Sequence, residues 1–131
     1  MAVDVGTVVV EIAELRIDNN RLRVENVYAV VDPGMVISPD GAKAQVEGSL
    51  TMGLSSVLYE NARVENGQLA QNNFDGYPLL TMKDAPDIFV ELIEGDDQPH
   101  GMGEPPIGPI GAAVANALFN LTGERKRSLP I

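Results

Sequence analysis

The sequence predicts an α+β fold in which β-hairpins and a mixed sheet pack with two main helices, at about residues 39–59 and 109–122. Two stretches near the start, rich in β-branched residues and separated by a turn, predict the first strands. Two later segments, in which apolar residues recur every three or four positions, predict the helices. A chain of 131 residues has room for one modest core, so we expect residues 1–131 to form a single domain.

The first two strands are predicted over Val5–Asp18 and Leu22–Val31, with Asn19-Asn20 as the turn between them. The second strand begins with alternating polar and apolar residues, whereas Val27–Val31 is apolar at every position. This asymmetry predicts a hairpin that is solvated at one end and buried on both faces at the other. Something beyond the hairpin must then cover the sheet.

The first helix is predicted to begin after Ser38, which suits an N-cap, and to end near Tyr59. Its apolar stripe consists of Ala42, Val46, Leu50, Leu54 and Leu58. A different face carries Gly41, Gln45, Gly48 and Ser49. Since an interior glycine costs a helix roughly 1 kcal/mol relative to alanine, something must approach this backbone closely. Two explanations stay open: the packing of a second helix or strand, and a ligand lying over Gln45.

The second half of the chain is predicted as a hairpin, a strand, a long break and a final helix. The hairpin turns at Asn66-Gly67, the strand covers Ile88–Ile93, and the break covers Glu94–Pro106. The helix is expected to begin near Pro109 and to end at Gly123 in a left-handed conformation. Its apolar stripe consists of Ile110, Val114, Leu118 and Leu121.

Composition excludes several classes of function. The net charge of −10 repels phosphate backbones, so we expect no nucleic-acid partner. Cysteine is absent and His100 is the single histidine, which excludes thiolate clusters and histidine-built metal sites, and we predict no metal ligand. The longest apolar runs fall short of the about eighteen residues that a membrane span requires.

One carboxylate stands out in the break before the last helix. Glu104 lies between Gly103, which permits a sharp turn, and the rigid Pro105-Pro106 pair. Because it precedes a helix, the positive end of the helix dipole favours its ionised form. From these facts alone Glu104 is either a helix cap or a base, and caps are the commoner case.

Three stretches taken together indicate a family. They are Ala44-Gln45-Val46-Glu47-Gly48, Gln71-Asn72-Asn73-Phe74-Asp75-Gly76-Tyr77-Pro78 and Gly103-Glu104-Pro105-Pro106. In order and spacing the chain resembles the C-terminal segment of the molybdenum-binding subunit in the xanthine dehydrogenase and aldehyde oxidase family. Within that family it is most similar to the beta subunits of isoquinoline 1-oxidoreductases.

The resemblance implies an activity, a cofactor and three site residues. Such enzymes hold molybdenum on a pterin, as molybdopterin or its cytosine dinucleotide form, and hydroxylate an N-heteroaromatic or aldehyde substrate with oxygen from water. Glu104 matches the family's general base, and Gln45 matches a glutamine beside the pterin and the metal. Gly103, in the same motif as Glu104, is expected at the cofactor as well.

The resemblance also implies that residues 1–131 are the C-terminal portion of a much longer subunit. The implied partners are the rest of that subunit and an iron–sulfur subunit. We therefore expect the isolated chain to hold no molybdenum or pterin, to be inactive, and to self-associate through surfaces that the full subunit covers. The alternative is a non-catalytic interaction or structural module with the same fold.

Overall fold

A computed structural model describes residues 1–19 and 21–131, so Asn20 of the predicted turn lies outside the described residues. Within these residues the strands and helices follow the chain as β1 Ala2–Asp4, β2 Thr7–Asp18, β3 Arg21–Asp32, α1 Pro39–Leu58, β4 Val64–Glu65, β5 Gln68–Leu69, β6 Asp87–Leu92 and α2 Ile107–Thr122. The α+β class and the two main helices are confirmed. None of the described helices is long and apolar enough to cross a membrane.

The main sheet is mixed, as predicted, with the strand order β1-β2-β3-β6. Strands β1 to β3 pair antiparallel, and β6 runs parallel to β3 after the crossover through α1. Strand β1 was not predicted, because its turn to β2 is made by Val5 at φ 43° and Gly6 at φ 89°. Valine disfavours positive φ, so Val-Gly does not read as a hairpin turn, and the predicted strand began at Val5 instead.

The prediction that Val27–Val31 is buried on both faces is wrong within this chain. Val27, Ala29 and Val31 are buried against α1 and α2, whereas Tyr28 and Val30 point to the opposite, exposed face. We call this the outer face, and its exposed apolar residues are Val3, Val10, Ile12, Tyr28, Val30 and Phe89. Both helices cover the same side of the sheet. The apolar residues of β3 that point to the other side are therefore left uncovered in this chain.

Helix α1 buries most of the predicted stripe: Ala42, Val46, Leu50 and Leu54 lie in the core, and Leu58 packs partly against it. Close packing occurs at Gly53, where an added Cβ would lie 2.7 Å from Ile110 Cγ2 of α2. At Gly48, by contrast, an added Cβ would meet no atom within 4 Å. Packing within the chain therefore explains Gly53 and leaves Gly48 without a structural reason.

Helix α2 begins at Ile107, before the predicted start at Pro109. Proline is tolerated there because an N–H in the first turn has no partner within the helix. Ile110, Val114 and Leu118 are buried as predicted, but Leu121 is half exposed, so the stripe ends one turn earlier. Gly123 has φ 77° and its N–H donates to the carbonyl of Phe119, which confirms the left-handed end.

Candidate functional site

The segment between β6 and α2 is fixed by backbone hydrogen bonds to the loop that follows β3. The N–H of Met35 donates to the carbonyl of Asp97 over 3.0 Å, and the N–H of His100 donates to the carbonyl of Pro33 over 2.8 Å. The N–H of Gly95 likewise donates from this segment to the loop, at the carbonyl of Gly34. The loops that follow the two parallel strands leave the sheet at the same edge, and these hydrogen bonds join them into one surface.

The turn between β1 and β2 and the first residue of β2 contact the same segment, at His100 and Gly101. The hydroxyl of Thr7, which is fully buried, donates to the carbonyl of Gly101 over 2.6 Å. The ring of His100 lies so close to Gly6 that an added Cβ would be 2.5 Å from Nδ1. His100 is therefore a packing residue. Across residues 1–19 and 21–131, no group of three His, Cys, Asp or Glu side chains is placed to hold a metal ion.

The structure brings Gln45 and Gly103 into contact. A Cβ added to Gly103 would lie 2.6 Å from Nε2 of Gln45, so the glutamine amide occupies the space that any other residue's side chain would take. Gln45 is exposed on α1, one turn before the bare backbone of Gly48. Beside it lies a mostly apolar cavity of about 240 Å³, lined by Met35, Ile37, Ser38, Gly41, Ala42, Gln45, Pro99 and Met102.

This arrangement fits a flat, partly polar group. The exposed amide of Gln45 offers both a donor and an acceptor. The open backbone at Gly48 leaves room for close approach, and the shallow cavity offers an apolar surface to a ring edge. A pterin has these properties, so the residues present fit the group that the resemblance implies.

Glu104 stands at the exposed tip of the Gly101–Pro106 loop, directly before α2. Its carbonyl accepts the N–H of Ile107 over 2.9 Å, and the following prolines, Pro105 and Pro106, are buried. Within the described part of the chain, its carboxylate forms no salt bridge and no hydrogen bond joins it to Gln45. The side chain is thus exposed and has no ion-pair partner among the described residues; its role as a base stays a prediction.

The motif Gln71–Pro78 folds against the segment that follows α1. The side chain of Gln71 donates to the carbonyl of Asn61 over 2.7 Å and accepts the N–H of Arg63 over 3.0 Å. The hydroxyl of Tyr77 donates to Glu60 over 3.0 Å, and this hydrogen bond, together with burial, raises the pKa of Tyr77. These contacts explain the two ends of the motif structurally, while Phe74 between them remains exposed.

Glu11 is a buried carboxylate that sequence reasoning missed. It lies on the helix-facing side of β2 between Val9 and Ala13, opposite Ala29 of β3. Both of its carboxylate oxygens are shielded from water and have no hydrogen-bond partner among the described residues. Burial raises the pKa of Glu11 from 4.5 to about 8, and the nearby N-terminal ammonium offsets part of that rise. Its place on the inward-facing side of an alternating strand was the available signal.

We predict that Glu11 makes the chain less stable as the pH rises. Its pKa is about 8 when folded and near the ordinary value of 4.5 when unfolded, so the folded state binds more protons between these limits. The free energy of unfolding therefore falls from pH 4.5 to pH 8 and levels off above. We expect a loss of about 1–2 kcal/mol, because rotation of the carboxylate toward solvent relieves much of the burial.

Urea unfolding of the 131-residue chain at a series of pH values measures this loss. Glu11→Gln removes the titrating group, so the free energy of unfolding is expected to change little between pH 4.5 and pH 8. Glu91→Gln, at an exposed position of β6, is the matched control and keeps the wild-type slope. Equal slopes in wild type and Glu11→Gln would contradict the prediction.

Comparison with known proteins places these features in a wider context. The family described as "Molybdopterin cofactor-binding domain" matches residues 2–86. The chain is 44% identical over 112 residues to isoquinoline 1-oxidoreductase subunit beta of Brevundimonas diminuta, covering 86% of this chain and 14% of that protein. It is 37% identical over 122 residues to a protein of Gluconacetobacter polyoxogenes named membrane-bound aldehyde dehydrogenase [pyrroloquinoline-quinone], covering 92% of this chain and 16% of that one.

A solved structure agrees with the fold. Quinoline 2-oxidoreductase of Pseudomonas putida 86 superimposes with a TM-score of 0.78 at 26% identity, over 86% of this chain and 15% of that structure. The chain thus spans about one sixth or less of the length of the relatives it matches.

Proposed function

This chain belongs to the molybdopterin cofactor-binding domain family, and we propose that it forms the C-terminal part of the molybdenum-binding subunit of a molybdenum hydroxylase. The substrate class we propose is an N-heteroaromatic compound or an aldehyde, hydroxylated with oxygen from water. In this proposal Glu104 is the general base, and Gln45 and Gly103 contact the cofactor. The remainder of the subunit and an iron–sulfur subunit complete the enzyme.

The contact between Gln45 and Gly103 is the observation that carries this proposal. It joins two motifs from distant parts of the chain, one on α1 and one in the Gly101–Pro106 loop. The same contact lies beside the bare backbone of Gly48 and immediately before Glu104 in the chain. Packing within the chain accounts for the amide of Gln45 at Gly103 but not for the open backbone of Gly48, whereas a ligand over Gln45 accounts for both.

Each residue has a task that follows from its chemistry. When bound, the molybdenum–pterin group supplies the two-electron oxidation. Gln45 orients that group through its amide, and Gly48 lets it approach the helix. Glu104 accepts a proton at its carboxylate, which lies at the exposed tip of the loop between Gly103 and Pro105. The buried Pro105 and Pro106 fix the direction in which the tip leaves the core.

Molybdopterin is the cofactor that the family match supports, and we propose molybdopterin or its cytosine dinucleotide form for the complete enzyme. The Gluconacetobacter relative is named for pyrroloquinoline quinone, which is also a flat, polar ring system. The family that matches residues 2–86 covers Gln45 and Gly48, and it is described by molybdopterin. For that reason we favour the pterin at this surface.

We predict that Gly103→Ala lowers molybdenum content without destabilising the fold. The new methyl group would lie 2.6 Å from Nε2 of Gln45, the far end of a flexible side chain, which moves aside at little cost. The amide then leaves its position over the cavity. Loss of a partner around a metal ligand typically costs about 10–100-fold in metal affinity, and since Gln45 is not itself a ligand we expect a fall in molybdenum content at the lower end of that range. Mass spectrometry of the purified complete subunit measures the molybdenum content.

Gly108→Ala is the matched control, because an added Cβ there would meet no atom within 4 Å. It is expected to leave the molybdenum content unchanged. The isolated 131-residue chain, measured in parallel, is expected to contain none, since most of the enclosing surface would come from the rest of the subunit. Full molybdenum in Gly103→Ala, or near-stoichiometric molybdenum in the isolated chain, would count against the proposal.

The outer face is the surface that we propose the rest of the subunit covers. Ile12, Tyr28 and Val30 are cross-strand or near neighbours there, and Tyr28 stacks on Phe89 at 5.1 Å between ring centroids. An apolar face of this kind drives association when it is left open. We therefore predict that the isolated chain forms dimers or larger species at micromolar concentration.

Ile12→Lys tests whether association uses this face, since Ile12 is 62% exposed near its centre. The variant is expected to sediment as a monomer. Met82→Lys changes an equally apolar and 97% exposed residue outside the sheet, with the same change in net charge, and is expected to associate like wild type. A monomeric wild-type chain would exclude the prediction, and an associating Ile12→Lys would move the interface elsewhere.

A further inference from the structure

We propose that Thr7 is a positioning residue for Glu104, acting through the loop that carries it. This inference rests on the proposed role of Glu104 as the base. The hydroxyl of Thr7 donates to the carbonyl of Gly101 over 2.6 Å, across 94 positions of the chain. Gly101 begins the Gly101–Pro106 loop, three residues before Glu104.

Thr7 occupies a position that its strand would otherwise fill with an apolar side chain. It is fully buried on the helix-facing side of β2, in line with Val9 and Ala13. A hydroxyl buried without a partner is costly, so its presence calls for an acceptor. The carbonyl of Gly101 is that acceptor, and the bond anchors the start of the loop to the sheet.

The two residues before Thr7 contact the same short segment. Gly6 has φ 89° and leaves space for the ring of His100, whose Nδ1 would lie 2.5 Å from an added Cβ. A Cβ added to Gly101 would lie 3.5 Å from Cγ2 of Val5. Residues 5–7 thus form a support on which His100 and Gly101 rest, and the N–H of His100 is also tied to the carbonyl of Pro33.

The loop is held at its other side as well. Gly103 rests on the amide of Gln45, and Pro105 and Pro106 are buried. Glu104 is exposed between these fixed points. Holding both sides limits how far the carboxylate moves from the reacting atoms. Because a displacement of about 1 Å is enough to cost a positioned group up to 10²-fold in rate, the anchor at Thr7 bears on turnover.

Thr7→Val in the complete subunit removes the donor and keeps the shape of the side chain. We expect kcat to fall by about tenfold, with KM within about twofold and the molybdenum content unchanged. Hydrogen exchange of a peptide spanning residues 98–104 is expected to accelerate. Thr7→Ser, which keeps the hydroxyl, is expected to restore kcat and the slow exchange.

Thr122→Val is the matched control, because Thr122 makes the same kind of bond, to the carbonyl of Leu118 over 2.8 Å, at the far end of α2. It is expected to leave kcat and exchange in residues 98–104 at wild-type values. If Thr7→Val does not yield folded subunit, Thr7→Cys takes its place, since the thiol is similar in size and a poorer donor.

A double-mutant cycle separates this inference from the role of Glu104. If Thr7 acts through Glu104, Thr7→Val lowers the rate of single-turnover cofactor reduction in wild type and adds no further loss to Glu104→Gln. If Thr7→Val lowers the rate of cofactor reduction equally in wild type and in Glu104→Gln, the positioning role is overturned, while Glu104 can still be the base. Wild-type turnover in Glu104→Gln overturns the base itself. Unchanged kcat in Thr7→Val, with Glu104→Gln inactive, overturns only the positioning role.

Discussion

Replacing Glu104 with glutamine in the complete subunit is expected to lower turnover by about 10²–10⁴-fold, the contribution of a positioned general base. The amide is nearly isosteric with the carboxylate, so shape and loop geometry are preserved while the proton acceptor is lost. Glu104 is exposed and forms no salt bridge within the described residues. Fold and molybdenum content are therefore expected to stay at wild-type levels, which metal analysis and steady-state kinetics on one preparation measure.

Glu124→Gln provides the control for loss of one surface acid. Glu124 lies just beyond the other end of α2 and approaches Lys126 at 3.7 Å. Because exposed ion pairs contribute little, that variant is expected to keep wild-type turnover. An active Glu104→Gln, or one that is inactive because it has lost its molybdenum, would end the assignment of Glu104 as the base.

Local patterns in the sequence were sufficient for the helices and for the hairpins with ordinary turns. Ser38 marks the start of α1 and Gly123 marks the end of α2, and Asn66-Gly67 adopts positive φ at both residues. These features depend on interactions within a few residues, so they are visible in the sequence. Even there the chemistry differs in detail, since Ser38 occupies the N-cap without a side-chain hydrogen bond.

Features that depend on distant neighbours were not predictable. Val27–Val31 is apolar at every position, but the pattern does not reveal that both helices lie on one side. Glu11 looks like an ordinary strand glutamate until α2 packs over β2. The contact between Gln45 and Gly103 joins motifs that the resemblance placed at one cofactor, although nothing in their spacing showed that they touch.

The hydrogen bond of Thr7 belongs to the same class. A threonine in a β-branched strand is unremarkable by composition, and its partner Gly101 lies in a loop near the other end of the chain. The role of Thr7 becomes visible only in the structure, where its hydroxyl is buried and needs an acceptor. Residues that support a site from the second layer are therefore the ones for which a structure adds most to the sequence.

Gly48 and Gly53, two of the three glycines of α1, offer a test in which one helix supplies its own control. Gly48→Ala and Gly53→Ala gain the same intrinsic helix propensity, about 1 kcal/mol. At Gly53 the new methyl group would lie 2.7 Å from Cγ2 of the buried Ile110 and forces α1 and α2 apart. At Gly48 it meets nothing within 4 Å. The difference between the two free energies of unfolding isolates the clash, and we expect roughly 1–3 kcal/mol.

Urea unfolding of the 131-residue chain measures that difference, and Ile110→Leu in the Gly53→Ala background checks its cause. Leucine is not branched at Cβ, so it removes the atom that the methyl group would strike, and we expect partial recovery of stability. For cofactor content in the complete subunit, we expect Gly48→Ala to be the variant with the larger loss. Gly48→Ala, the more stable variant as an isolated chain, is expected to hold less molybdenum than wild type, because its methyl group fills the space that a ligand over Gln45 requires. Equal molybdenum in Gly48→Ala and wild type would show that the open face of α1 serves something other than the cofactor.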